Sequence, residues 1–206
     1  MIAFVRPIWL VLLALALMPR PASAQADPSL PPGTSAVFDA IDDLDKLRLL
    51  NPIGINGAQA RKIVELLETR QKAYNQRLIE LAVEPLKAIG EEIKATRDRL
   101  LTGGSIPTEL DERIKKSQKD FVAKRKVEQD KNLKLVADGF RAILTPEQNK
   151  KIIDSARQDF EMGRGTDEQF YNLWVRETII AYPRILPLFR DIAKARMPGS
   201  GSEPQS

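Results

Sequence analysis

The side chains behind most enzyme and metal chemistry are missing: the 206 residues include no cysteine and no histidine. A thiolate nucleophile and an imidazole base therefore have nothing to be built from, and zinc lacks its preferred nitrogen and sulfur ligands. Beyond residue 24 the only soft ligands are Met162 and Met197. No GxxxxGK phosphate cradle occurs, and Glu91 and Glu92 are neighbours, which point apart on a helix. Asp39, Asp42, Asp43 and Asp45 could hold a hard cation weakly, but Asp42 and Asp45 read first as a solvated helix face. The expectation is a protein that is not an enzyme and takes no cofactor or metal.

Chemistry of binding is better represented. Between Arg113 and Lys134 nine lysines and arginines face only Asp120, Glu128 and Asp130, a local charge of +6. A solvated helix face is the plain reading of such a run. The sharper one notes that Ile114, Phe121 and Val127 lie among Lys115, Lys119, Lys124, Arg125 and Lys126, a mixed cationic and apolar surface able to hold an unfolded acidic client.

Two stretches 89 residues apart repeat one another, "GINGAQARKI" from Gly54 and "ILTPEQNKKI" from Ile143. In the second, Thr145 suits a helix N-cap, Pro146 the first helical position and Gln148 the third, a capping box. In the first, Asn56, Gly57 and Gln59 take those places. Thr166 to Gln169 repeats the box a third time, but Gly165 precedes it, whereas Ile55 and Leu144 precede the other two. The apolar partner four positions into each helix is weak, Ala60 in one and Asn149 in the other, so local stapling does not explain Ile55 and Leu144. A tertiary contact is expected, with the two openings as candidate partners for each other.

The elements that must carry these residues are all helical. Val37, Ile41, Leu44 and Leu47 mark a short acidic helix, with Ser35 as candidate cap and Asn51-Pro52 as stop. A stripe from Ala60 through Ile63, Leu67, Leu78 and Ile89 runs to Leu100, with a kink or break expected near Val83 and Glu84 because of Pro85. A third helix runs from about Leu110 to Ile143, its middle nearly all polar, which suggests an open architecture completed by another subunit. Helices follow Thr145 and Thr166, the latter with Phe170, Tyr171, Trp174 and Tyr182 as core candidates; Pro183 and Pro187 break it, and Ile185, Leu188, Phe189 and Ile192 form a last turn or two. No run alternates in the manner of a strand, so the fold class is all-α.

The leader reads as an export signal: Arg6, the apolar run Ile8 to Met18, then Ala22-Ser23-Ala24, with cleavage after Ala24 and a periplasmic destination. Eleven apolar residues are too few to span a bilayer, which needs about 20, so no stable membrane insertion is expected after cleavage; an uncleaved anchor is the alternative. Loss of Arg6 and Arg20 lowers the net charge from +4 to +2, which gives no case for nucleic acid as a partner.

With the openings and the charged helix in view, the chain resembles the periplasmic Spy/CpxP family, whose members carry LTxxQ motifs. Leu144, Thr145 and Gln148 match that motif in full, at the end of a long charged helix; Ile55, Asn56 and Gln59 depart from it in the first two positions. The resemblance covers about residues 53 to 159. It implies long kinked amphipathic helices in an open, cradle-like homodimer, with these six residues as structural positions. Relatives act as ATP-independent chaperones, as modulators of an envelope-stress sensor kinase, or as zinc-responsive stress proteins, and a chain without histidine or cysteine argues against the last. The expected partners are unfolded or partly folded envelope proteins; the alternative is a regulator or adaptor for one folded partner, such as a sensor-kinase domain. The corresponding division is a signal at 1–24, a Pro-rich arm at 25–34, a Spy/CpxP-like domain at 35–162, a C-terminal helical extension at 163–197 and a disordered tail at 198–206.

Overall fold

The computed structural model describes residues 34–160 and 164–197. The signal, most of the Pro-rich arm and the tail from 198 lie outside the described residues, as does the division between 162 and 163. Among the described residues there is no strand, and the fold is all-α. Seven helices follow one another: α1 (Thr34–Leu50), α2 (Gly57–Lys87), α3 (Gly90–Leu101), α4 (Thr108–Ile143), α5 (Pro146–Asp159), α6 (Asp167–Trp174) and α7 (Ile185–Ala195). A 3-10 turn, Asn51–Ile53, follows α1, and a π-helical stretch, Val175–Ile180, follows α6. None of these helices is long and apolar enough to cross a membrane.

The chain forms two compact units. One is Gln71–Asn132; the other joins residues 34–70 with 133–197. The first has a thin core, with Leu78, Ile89 and Leu110 buried together with Thr96, and its helices are also linked by Arg113–Glu92 (2.7 Å) and Arg77–Glu128 (3.4 Å). The weak apolar pattern of the polar middle of α4 accounts for that thinness.

The second unit holds the main core. Ile63 and Leu67 of α2, Val136 and Phe140 of α4, and Ile152 and Ala156 of α5 meet Phe170, Tyr171 and Trp174 of α6 and Leu188, Phe189 and Ile192 of α7. The aromatic group expected to be core is therefore core, Tyr182 included. The division into a domain and a C-terminal extension does not follow the packing: residues from Phe170 to Ala193 share one core with both motif openings. Where α2 and α4 approach most closely, a Cβ on Gly139 would lie 2.6 Å from the Leu66 side chain.

Three boundaries differ from expectation. α2 continues through Pro85 and ends at Lys87, with the break at 88–89, where the Ile89 amide bonds to the Leu86 carbonyl (3.2 Å). The proline forfeits one hydrogen bond in the preceding turn, and the helix carries on for two more residues before it breaks, about one turn later than its Pro suggests. Pro187 does not break a helix; it lies in the first turn of α7, where its missing N–H is not needed. α1 begins at Thr34, ahead of the expected cap at Ser35 and inside the expected arm.

Candidate functional site

Both motif openings lie in the second unit, and they bond to each other. Each first forms its own capping box: Gln148 N–H donates to Thr145 Oγ1 (3.2 Å) while Thr145 N–H donates to Gln148 Oε1 (2.9 Å), and Gln59 and Asn56 do the same at 2.8 and 3.1 Å. The two glutamine amides then pair face to face. Gln59 Nε2 donates to Gln148 Oε1 (2.7 Å) and Gln148 Nε2 to Gln59 Oε1 (3.1 Å). Their remaining N–H groups cross over, from Gln59 to the Ile143 carbonyl (3.3 Å) and from Gln148 to the Gly54 carbonyl (2.9 Å). Each acceptor carbonyl stands two residues before the other motif's cap, so the clasp is nearly two-fold symmetric. Two donors and two acceptor positions of each amide are all in use.

The residues around the clasp explain its unequal spellings. Ile55 and Leu144 are buried in the core beneath it. Asn149, in the place of an apolar staple, donates to the Arg141 and Leu144 carbonyls (3.2 and 3.4 Å) and accepts from the Tyr171 hydroxyl (2.8 Å). Burial pushes the Tyr171 phenol well above its ordinary range, so it remains a donor. Gly57 stands where the other motif has Pro146 because the end of α7 passes there: a Cβ would lie 2.6 Å from the Arg196 carbonyl oxygen. Arg196 in turn donates to the Ile55 carbonyl (2.7 Å) and to Asn51 Oδ1 (2.5 Å). Sequence reasoning missed Arg196 altogether; the glycine at a first helical position was its one trace. The third box, Thr166 with Gln169, forms as expected but bonds only locally (3.3 and 2.8 Å).

No known protein family, curated protein or solved structure matches this chain.

The basic surface lies in the first unit, along α4. Ile114, Phe121 and Arg125 are half-buried, while Lys115, Lys119, Lys124 and Lys126 are exposed. Lys115 pairs with Asp111 one turn earlier (2.5 Å). Lys119, Lys124 and Lys126 have no ion pair, whereas most other charges in the unit do. The exposed apolar side chains among them are Val122 and Val127, 67% and 65% accessible. At 3.6 residues per turn, Lys115, Lys119, Val122 and Lys126 share one stripe. Val122 was not singled out by sequence reasoning, although that spacing was the signal for it. Lys124 lies at the edge of an open groove of about 370 Å³ with Arg77, Glu80, Leu81, Glu84 and Pro85.

Two of the four acidic residues of α1, Asp39 and Asp43, are engaged by the body. Arg184 donates to Asp39 (2.9 Å) and Asp43 (3.0 Å), and the Tyr182 hydroxyl donates to Asp43 (2.5 Å). Burial, reinforced by Asp43, raises the Tyr182 phenol and keeps it protonated. Among the described residues no group of three or more acids is placed to hold a metal ion.

Proposed function

We propose that the protein is a periplasmic, ATP-independent holding chaperone of the Spy/CpxP type, exported by its leader and able to form a homodimer. It captures unfolded acidic clients along the exposed sides of α4, with Lys119, Val122 and Lys126 on one stripe and Lys124 and Val127 on another side of the helix. The observation that carries this reading is a run of lysines left without counter-ions, Lys119, Lys124 and Lys126, around the exposed Val122 and Val127. Unpaired cations attract an acidic chain over about a Debye length, ~10 Å at 0.1 M salt, and two small apolar side chains add contact weak enough to allow release.

The clasp serves this function by holding the ends of α2 and α4 in one rigid unit; it has no chemistry of its own.

The test is to follow aggregation of a chemically unfolded, acidic model client by light scattering, without ATP, over a range of subunit ratios. Suppression near stoichiometric amounts is expected. No suppression, together with tight one-to-one binding of a single folded envelope protein, would replace this reading with that of a regulator or adaptor.

A further inference from the structure

α1 is an amphipathic helix turned outward. Its polar face is the one that is held: Asp39 and Asp43 bond to Arg184, and Lys46 donates to the Glu177 carbonyl (3.3 Å) while lying 5.4 Å above the Tyr182 ring. Of its apolar residues only Leu50 is buried, with Leu47 packed part-way against the core. Val37, Phe38, Ile41 and Leu44, on the opposite face, are 49% to 61% exposed. A helix that served only to cover its own core would bury those four side chains.

The rim of this stripe says what would cover it. Asp42 and Asp45 border it on one side, and neither bonds to the body of the unit; Arg48, one turn beyond Leu44 on the stripe itself, pairs with Asp45 (3.0 Å), and Asp42 has no ion pair among the described residues. An acidic rim suits an anionic lipid surface poorly, since interfacial helices carry lysine and arginine beside their apolar face. It suits a basic helix with exposed apolar side chains. This chain exposes such a helix in the outer stripe of α4, where Lys119 and Lys126 lack counter-ions and flank Val122.

We propose that the outward face of α1 docks on the outer stripe of α4 in a second copy of this chain. Val37, Ile41 and Leu44 would cover Val122, with Asp42 and Asp45 opposite Lys119 and Lys126. The contact joins two different surfaces, so a closed assembly needs each copy to give one α1 and receive one. A stripe of four side chains is at the small end of interfaces, and the assembly dissociates on dilution through the micromolar range, sooner at high salt. The proposal does not rest on the chaperone reading and is measured without client; both use the same stripe, so α1 of the second copy and a client compete for it and dissociation frees it.

Sedimentation equilibrium of the whole protein at low salt, over about a hundredfold range of concentration, is the test. Wild type is expected to self-associate. Ile41→Asp is expected to leave a folded monomer, with Trp174 emission unchanged. Asp42→Lys/Asp45→Lys and Lys119→Glu/Lys126→Glu should each weaken association at least tenfold, and the protein carrying all four changes should regain most of it. A wild type that stays monomeric would overturn the proposal, as would association indifferent to Ile41→Asp or a fourfold variant that does not recover. Binding of α1 to anionic vesicles would place its partner on a membrane and overturn the proposal too.

Discussion

A glutamine amide offers two donors and two acceptor positions, and in Gln59 and Gln148 all of them are spent on one another and on the surrounding backbone. Gln148→Glu keeps the shape but removes both donors and sets a carboxylate against Gln59 Oε1 and the Gly54 carbonyl. At pH 7 that should cost about 1–3 kcal/mol. Its folded-state pKa would lie above the unfolded value of roughly 4.3, so the variant recovers stability as pH falls toward that value and loses it as pH rises through the raised pKa. Urea midpoints of wild type and variant at pH 4 and pH 7 read the effect; a gap that does not narrow at pH 4 would mean that the charge is not the cause. Gly57 gives a second residue-level test. Alanine is favoured in a helix by about 1 kcal/mol, yet a Cβ there lies 2.6 Å from backbone that cannot swing aside, so Gly57→Ala should lower stability by about 1–3 kcal/mol. Gly90→Ala meets nothing within 4 Å and should be neutral or stabilising by about 0.5 kcal/mol; urea midpoints of the two alanine variants against wild type check both. The boxes at Asn56, Thr145 and Thr166 were all legible in the sequence, because capping depends on residues three apart. Which glutamines would meet was only half legible: the apolar residues before two caps pointed to a tertiary contact, but Arg196 and Tyr171 reach the clasp from far along the chain and leave no local pattern.

Among the elements, helix content followed the apolar period closely, and the failures cluster at prolines. Pro85 and Pro187 were read as breaks, but a proline's effect depends on how many helical residues follow it or precede it, which the dipeptide alone does not encode. α1 shows a different limit. Its apolar period was right, but periodicity says that two faces exist and not which one is held. Arg184 decided it, through a pair of aspartates 141 and 145 residues away. Arg184→Ala should therefore release α1 while leaving the rest of its unit in place. Losing hydrogen bonds to two charged groups at about 1.5–3 kcal/mol predicts amide exchange across Thr34–Leu50 that is faster by roughly tenfold or more, with Ile152 and Phe189 unchanged. Unaltered exchange in α1 would show that Leu47 and Leu50 hold it instead.

For the molecule as a whole, composition excluded thiol and imidazole chemistry from the outset. The core gathers in one unit with the clasp and the aromatic residues from Phe170 to Tyr182, while the lysines without counter-ions lie on the other, thinly packed unit. That division was hidden from the sequence because α2 and α4 each contribute to both units, so no linker or composition shift marks the boundary. The account turns on those lysines. The measurement that tests it most directly is the rate at which a labelled, unfolded acidic client is captured in stopped flow by wild type and by Lys119→Glu/Lys126→Glu, at low and high salt. Steering by unpaired cations predicts capture roughly tenfold slower or more in the variant at low salt, with the difference closing at high salt and with Trp174 emission and urea midpoint unchanged. Equal capture rates at low salt would contradict it.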